Sequence, residues 1–268
     1  MEWRNIYRGM LMGTSDVVPG VSGGTIAVVL GIYDRLIEAV NGVFSKEWKK
    51  QLGFLIPLAI GIGAAILLLS NLIDHLLENY EQPTMFFFLG LIVGIIPFLL
   101  NKADYKRNFE GSHYVLLLIS VLLVGSLAFF NTGEPEAWKG SLSVSQYIFL
   151  FFSGWLASMA MLLPGVSGSF LLLLIGVYPT VVGAISELQF DRIIVIGLGV
   201  LIGIAISGKG INHLFKHYPY YTYAVVTGMV IGSIFVVFPG VPASMVLCLI
   251  TLMGGLLAAF LLGKVEYE

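Results

Sequence analysis

One short motif that interrupts helices occurs twice in this chain. The sequence Pro-Gly-Val-Ser-Gly lies at 19–23 and again at 164–168, 145 residues later, each time followed by an apolar run. Pro and Gly interrupt helices, and an interrupted helix exposes backbone N–H and C=O groups that lipid cannot satisfy. Such interruptions are tolerated at membrane depth only where they face a protected cavity. The two motifs therefore predict two broken, re-entrant helical hairpins that line a site inside a membrane.

The composition is typical of an integral membrane protein. Hydrophobic residues make up 57% of the chain and charged residues 11%, against roughly 25% charged residues in soluble domains. A spanning helix needs about 20 mostly apolar residues. Such stretches lie at 53–72, 84–100, 114–130, 193–207, 222–238 and 244–262. Two more apolar regions, 9–42 and 146–186, contain the motif. We therefore predict an all-α, multi-pass integral membrane protein.

Several kinds of function are disfavoured by the same sequence. The net charge of −2 gives no support for nucleic-acid binding. The single cysteine, Cys248, excludes internal disulfides and cysteine-based metal clusters. His213 and His217 have the spacing of a helical metal site but lack a third ligand nearby. No cleavable leader is expected, because 1–8 carries charges and 13–24 is too interrupted. We predict no metal and no catalytic residue.

The chain consists of two copies of one unit. With a constant offset of 138, residues 61–96 match residues 199–234 at ten positions. The polar matches are the most informative, and they are His75/His213, Tyr80/Tyr218 and Thr84/Thr222. We predict a first repeat at 9–101 and a second at 146–240. The helix at 114–130 then links the repeats, and 244–262 is an additional terminal helix.

The distribution of Lys and Arg predicts the orientation of the repeats. If each broken hairpin returns to its starting side, all 14 Lys and Arg except Lys139 and Arg192 fall on the cytoplasmic side. The N-terminus is then cytoplasmic. The equivalent loops at 70–83 and 208–221 carry opposite charge, as expected if they lie on opposite faces of the membrane. This favours two inverted-topology repeats, as in many secondary transporters, over a parallel duplication.

The residues after each Pro-Gly turn have the chemistry of an anion site. Ser22 is a natural N-cap for a helix that we expect to extend over 24–40, and Ser167 is its equivalent. The first N–H groups of a helix lack partners inside it and favour an anion. The predicted phosphate- or carboxylate-binding residues are Ser22, Gly23, Gly24, Thr25, Ser167, Gly168 and Ser169. The alternative is that these glycines only permit close helix packing.

Two ionisable residues lie near the first motif. Asp16 precedes Pro19 in an uncharged segment, and an intramembrane carboxylate is a functional candidate because its burial is costly. It could carry a coupling proton, orient a helix end or contact the head group; a local turn is the alternative. The presence of Arg35 near the end of the hairpin is explained by snorkelling, with its charged group in water beside Asp34 and Glu38. The other interpretation is that Arg35 makes a transient contact with an arriving phosphate.

The paired motifs carry a resemblance to a known family. Residues Gly13 and Asp16, the segment 19–25 and its second copy at 164–169 resemble the bacterial polyprenyl-phosphate transporter family. The resemblance extends over nearly the whole chain. Two departures lie in the second copy, where Ser169 replaces the glycine equivalent to Gly24 and Phe170 replaces the threonine equivalent to Thr25.

This resemblance implies a lipid substrate. Members of the family would translocate undecaprenyl phosphate across the bacterial cytoplasmic (plasma) membrane and so return the carrier from the outer to the inner leaflet for cell-wall synthesis. An anionic head cannot cross hydrocarbon unaided, whereas a long apolar tail can remain in lipid. Alternating access of inverted repeats would expose one phosphate site to each leaflet in turn. No cofactor is implied, and coupling to protons or to sodium is open.

Two other functions compete with lipid translocation. A transporter or channel for a small soluble anion would use the same phosphate-binding residues, and the sequence hardly separates it from a lipid transporter. A membrane-embedded lipid phosphatase would need a positioned acid, base or nucleophile. Because no histidine lies near the motifs and Asp16 stands alone, we expect the protein not to be an enzyme. The sequence leaves the oligomeric state open.

Overall fold

The computed structural model of the chain describes residues 2–18, 21–43, 45–46, 48–130, 136–138 and 140–267. Within these ranges the regular structure is helical, and no strand is present. The α-helices are α1 (Arg4–Asp16), α2 (Gly23–Val29), α3 (Tyr33–Gly42), α4 (Trp48–Lys102), α5 (Tyr105–Asn108), α6 (Gly111–Ser126), α7 (Val144–Leu162), α8 (Gly168–Leu174), α9 (Tyr178–Ser186), α10 (Phe190–His217), α11 (Pro219–Val237) and α12 (Met245–Tyr267).

Seven segments of the described chain are long and apolar enough to cross a membrane. They are Trp48–Leu69, His75–Lys102, Gly111–Phe129, Val144–Leu162, Phe190–His217, Pro219–Val237 and Met245–Lys264. Each of the six apolar stretches found in the sequence overlaps one of these segments. The seventh, Val144–Leu162, precedes the second motif. The prediction of an all-α, multi-pass membrane protein is therefore confirmed.

Each broken hairpin contains a second interruption that the sequence analysis did not place. The expected helix over 24–40 is wrong, because α2 ends at Val29 and α3 begins at Tyr33. Gly31, between them, has a φ of +64°, a left-handed conformation that glycine adopts without steric cost. Gly176, between α8 and α9, has a φ of +78°, and these two helices meet at 116°.

A matching interruption separates the two long helices of each half of the chain. Helix α4 has non-helical backbone at Tyr80 (φ −138°, ψ 41°), so we distinguish its first half (48–79) from its second half (81–102). Tyr218 has nearly the same backbone angles (φ −133°, ψ 54°) between α10 and α11. The two tyrosines are equivalent at the offset of 138, so the duplicated sequence carries a duplicated bend.

Glycine allows α1 and α7 to approach their partner helices closely. Helix α1 packs along the first half of α4, where a Cβ atom added at Gly61 would lie 2.0 Å from the carbonyl oxygen of Ile6. Helix α7 packs along α10, where a Cβ atom at Gly199 would lie 2.0 Å from the carbonyl oxygen of Phe151. Small residues at such contacts are typical of membrane helices, whose association depends on close van der Waals packing.

The remaining long contacts cross between the two halves of the chain. Helix α12 packs against the second half of α4, and a Cβ atom at Gly90 would lie 2.2 Å from the Leu252 carbonyl oxygen. Helix α6 packs against α11, and a Cβ atom at Gly228 would lie 2.3 Å from the Leu117 carbonyl oxygen. Each half of the chain therefore contributes its last long helix to the other half.

Candidate functional site

Residues of both motifs line one cavity of about 530 Å³. The hairpin residues that face it are Asp16, Ser22, Gly23, Gly24, Ser167, Gly168 and Ser169. Most of the other lining residues are apolar and come from α1, α3, α7, α10 and the first half of α4; examples are Leu55, Leu58, Ile62, Ile66 and Ile204. The structure thus brings seven of the nine residues singled out from the sequence to one place, with polar groups from the two hairpins and apolar walls.

The first motif uses its own residues to complete the start of α2. The Gly24 N–H donates to Ser22 Oγ at 3.1 Å, which confirms Ser22 as the N-cap. The Gly23 N–H donates to Asp16 Oδ1 at 2.6 Å. The expectation that the N–H groups of Gly23 and Gly24 are bare is therefore wrong, because each has a partner in the chain. The turn residues Pro19 and Gly20 lie outside the described residues.

The second motif is built differently. The expected cap by Ser167 is wrong, since its side chain makes no capping hydrogen bond at the start of α8. The Ser167 hydroxyl is instead hydrogen-bonded to the Ser169 hydroxyl at 2.8 Å. Gly165 adopts a φ of +83°, which places the turn in a conformation that favours glycine. Two hydroxyls are thus presented side by side in this half of the cavity.

Two hydrogen bonds join the first hairpin to the second. The Gly165 N–H donates to Thr25 Oγ1 at 2.8 Å, and the Tyr33 hydroxyl donates to the Leu162 carbonyl oxygen at 2.6 Å. Thr25 and Tyr33 are both buried. Thr25, although predicted as an anion ligand, is not among the lining residues of the cavity, and its hydroxyl instead holds the two motifs together.

We expect Thr25→Val to destabilise the protein by about 1–3 kcal/mol. Valine keeps the shape of threonine but removes the oxygen, so the buried Gly165 N–H loses its acceptor, and an unsatisfied buried donor costs about this much. The measurement is the apparent melting temperature of the purified protein in detergent. Thr251→Val is the matched control, because the Thr251 hydroxyl donates to the Cys248 carbonyl oxygen of its own helix, α12, and accepts no hydrogen bond from the described residues. Equal melting temperatures for the two variants would contradict the role given to Thr25.

Arg35 lies apart from the cavity lining, on α3. Its guanidinium donates to Gln51 Oε1 at 2.6 Å and lies 3.4 Å from Glu38 Oε2, and it packs over the Phe54 ring with 5.0 Å between guanidinium carbon and ring centroid. These partners fix the side chain against the beginning of α4. The structure therefore does not bring Arg35 together with the motif residues.

Arg35→Gln should slow transport only about two- to threefold. The expected loss is small because Arg35 does not line the cavity, and exposed ion pairs such as the one with Glu38 contribute little to stability. Transport by the variant is measured in reconstituted vesicles beside Arg107→Gln, an exposed surface control. Complete loss of transport with Arg35→Gln alone would instead make Arg35 a head-group ligand.

Two residues of the site were missed at the level of sequence. Tyr33 recurs as Tyr178 at the motif offset of 145, but this match does not indicate its hydrogen bond to Leu162. Met161 is the residue equivalent to Asp16 at the same offset, and it also lines the cavity. The offset of 145 is the sequence signal that relates both residues to the two motif copies.

A known protein family matches most of the length of the chain. Residues 12–250 match the family described as undecaprenyl phosphate translocase-like. The chain belongs to this family. The matched region begins four residues before Asp16 and includes both motifs and the cavity-lining residues from Met12 to Ile204.

Two relatives of this translocase-like chain are curated under the same name. The polyprenyl-phosphate transporter of Staphylococcus aureus is 44% identical over 277 residues, which cover 100% of this chain and 98% of the relative. The polyprenyl-phosphate transporter of Vibrio cholerae is 35% identical over 253 residues, which cover 89% of this chain and 79% of the relative. No solved structure gives a significant match to the chain.

The electrostatics of the translocase-like cavity depend on a single side chain. Asp16 is the one charged residue among the described residues that line it. Its carboxylate is exposed in the cavity and holds the Gly23 N–H. The cavity therefore offers hydroxyls and backbone groups to a ligand, together with one acidic group.

Proposed function

We propose that this protein translocates undecaprenyl phosphate across the bacterial cytoplasmic membrane, with the phosphate group held in the cavity between the two motifs. One observation carries the proposal: both copies of the motif line one cavity whose remaining walls are mostly apolar. Membership of the undecaprenyl phosphate translocase-like family and two relatives named polyprenyl-phosphate transporter support the choice of substrate.

The hydroxyl groups of the cavity suit a phosphate. The Ser22 oxygen accepts the Gly24 N–H, so its own proton remains available to a phosphate oxygen. In the Ser167–Ser169 pair one hydroxyl donates to the other, and the accepting hydroxyl can donate to the ligand. Hydrogen bonds to a charged acceptor are about twice as strong as neutral ones. The phosphate would thus meet donors from both hairpins at once.

The apolar walls favour a lipid over a small soluble anion. Leu55, Leu58, Ile62 and Ile66 form one side of the cavity along α4. An inorganic anion gains nothing from such a surface, whereas the first isoprene units next to a lipid phosphate can pack against it. The rest of the tail stays in the bilayer, so the protein has only to move the head group.

Inverted repeats would allow this movement by alternating access. The helix contacts recur at the sequence offsets, with Gly61 against Ile6 in the first half and Gly199 against Phe151 in the second. Three candidate spans, the two halves of α4 and then α6, separate the hairpins. An odd number of crossings places the second hairpin on the opposite face from the first, provided that the first returns to its starting side.

The charge of the loops predicts the orientation of the protein in the membrane. Basic residues at 46–50 and 102–107 favour the cytoplasm for these loops and therefore for the N-terminus. In this orientation the first hairpin enters from the cytoplasm and the second from outside. The physiological cycle that we propose loads undecaprenyl phosphate at the outer leaflet and releases it at the inner leaflet.

A reconstitution assay tests the proposed function. Purified protein is placed in vesicles that contain labelled polyprenyl phosphate, and the fraction of head groups accessible to an external phosphatase is followed with time. We expect the protein to make the inner-leaflet pool accessible to the phosphatase, whereas vesicles without protein retain that pool. Vesicles in which inorganic phosphate crosses but polyprenyl phosphate does not would overturn the lipid function in favour of a small-anion transporter.

A further inference from the structure

The two halves of the cavity differ at one equivalent pair of positions. In the first half, a Cβ atom added at Gly23 would lie 2.7 Å from Asp16 Oδ2, so the carboxylate rests directly on the first glycine of α2. In the second half, a Cβ atom added at Gly168 would lie 2.9 Å from Met161 Cγ. Asp16 and Met161 are related by the offset of 145, as are the two glycines. The same structural position thus holds a carboxylate in one hairpin and a thioether in the other.

The carboxylate has no neighbouring charge to balance it within the described cavity. The lining residues that α2, α3, α4, α7, α8 and α10 contribute are all uncharged. On α1 itself, Arg8 lies two turns earlier and donates to Asn5 Oδ1. Tyr33, the titratable residue that joins α3 to α7, already donates its proton to the Leu162 carbonyl oxygen. Asp16 therefore faces serines, glycines and aliphatic side chains.

A phosphate and an ionised Asp16 would repel each other in this cavity. Both groups carry negative charge, and like charges held in one site disfavour one another's ionised form. They also compete for one donor, because the Gly23 N–H is held by Asp16 Oδ1. A protonated carboxyl group removes the repulsion, accepts less strongly from Gly23 and can donate a hydrogen bond to a phosphate oxygen.

We propose that Asp16 carries one proton with each phosphate head group that crosses the membrane. In the empty cavity Asp16 is ionised and holds the Gly23 N–H. The carboxylate takes a proton from water at the face where the lipid enters, and that proton returns to water at the opposite face when the lipid leaves. No other bond forms or breaks. This inference rests on the proposed function and identifies a proton as the coupling ion.

The donor set argues against a divalent metal ion as the coupling ion. Metal ions such as calcium and magnesium require several oxygen ligands arranged around them. Among the described residues no group of three or more His, Cys, Asp and Glu side chains could hold a metal ion. A single carboxylate beside hydroxyls needs only one proton to become neutral.

The binding experiment compares the full-length wild type with D16N in detergent, using labelled polyprenyl phosphate between pH 7.5 and 9.5. The phosphate itself is fully ionised in this range, since its second pKa is about 6. For the wild type we expect the dissociation constant to rise up to about tenfold per pH unit, as one linked proton requires. For D16N, whose amide oxygen can still accept the Gly23 N–H, we expect no dependence on pH. A pH profile of D16N that parallels the wild type would overturn the proposal.

A gradient experiment gives an independent test. In vesicles with a pH difference of one unit, wild-type protein should concentrate the lipid up to about tenfold in the leaflet that faces the alkaline side. This end point does not depend on which way the protein is inserted. If a sodium gradient drives accumulation and a pH gradient does not, the proton is the wrong ion. Wild-type protein that fails to equilibrate the lipid without any gradient would instead contradict the proposed function itself.

Discussion

Ser169→Leu should abolish transport of polyprenyl phosphate without unfolding the protein. The Ser169 side chain is exposed in the cavity and hydrogen-bonds only to the Ser167 hydroxyl among the contacts observed in the described chain. Leucine removes a donor to the phosphate, which alone weakens head-group binding about 10- to 100-fold. Its extra volume also occupies the space of the head group. Transport and binding are measured in the vesicle and detergent assays described above.

Matched variants separate the effect of the added side-chain volume from the effect of losing the hydroxyl. Ser169→Ala removes the hydroxyl but leaves the space, so its transport should fall between those of the wild type and Ser169→Leu. Ser126→Leu introduces the same side chain at an exposed position at the end of α6, outside the lining of the cavity, and should transport normally. If Ser169→Leu transports as fast as the wild type, the second hairpin does not bind the head group.

The first hairpin should respond in the same way, with an added structural cost. Ser22→Leu fills the opposite side of the cavity and also removes the N-cap of α2, a loss of about 1 kcal/mol. Gly23→Val forces the Asp16 carboxylate away, because the added Cβ atom would lie 2.7 Å from Oδ2. We expect no transport by either variant. If either transports normally, the first hairpin does not bind the head group.

Gly199→Leu should prevent stable assembly of the second half of the protein. A Cβ atom at this position would lie 2.0 Å from the Phe151 carbonyl oxygen and 3.1 Å from the Trp155 backbone nitrogen. Backbone atoms cannot rotate away, so α7 and α10 would have to separate. Overpacking a core costs 1–3 kcal/mol and occasionally more, and we expect the upper end here. The measurements are the yield of monodisperse protein and its apparent melting temperature in detergent.

The same helix supplies the control. Gly197→Leu lies two residues away on α10, where an added Cβ atom meets nothing within 4 Å. Leucine there should be neutral, or stabilise the helix by up to about 1 kcal/mol. Gly61→Leu and Gly63→Leu form a similar test pair in α4, since a Cβ atom at Gly61 would meet the Ile6 carbonyl oxygen and one at Gly63 meets nothing within 4 Å. Equal stability of Gly197→Leu and Gly199→Leu would refute the close packing of α7 on α10.

Hydropathy predicted most of the helices, because a spanning segment must be apolar along its whole length. The stretch at 222–238 corresponds to α11 within three residues at each end, and 244–262 corresponds closely to the candidate span Met245–Lys264. Local capping chemistry was predictable where the cap is made by a neighbour, as Ser22 does for Gly24. The break at Gly31 was not predicted, since the apolar residues around it read as one continuous helix.

Residues distant in sequence decided the details of the site. Ser167 has the same local sequence as Ser22, yet it pairs with Ser169 instead of capping α8. Thr25, predicted to face an anion, instead accepts a hydrogen bond from the N–H of Gly165, 140 residues away. Arg35 is held by Gln51 and Phe54 at the beginning of α4. No window of neighbouring residues contains these partners.

By itself the sequence determined that this chain is a helical membrane protein with two interrupted hairpins, because apolar length and the Pro-Gly motifs act locally on the backbone. Only the tertiary structure decided that both hairpins line one cavity, that Asp16 lies on Gly23 while Met161 lies on Gly168, and that α6 and α12 each pack on the opposite half of the chain. The physical reason is that these features depend on how closely glycine-bearing helices approach, which is set by contacts between segments far apart in the chain.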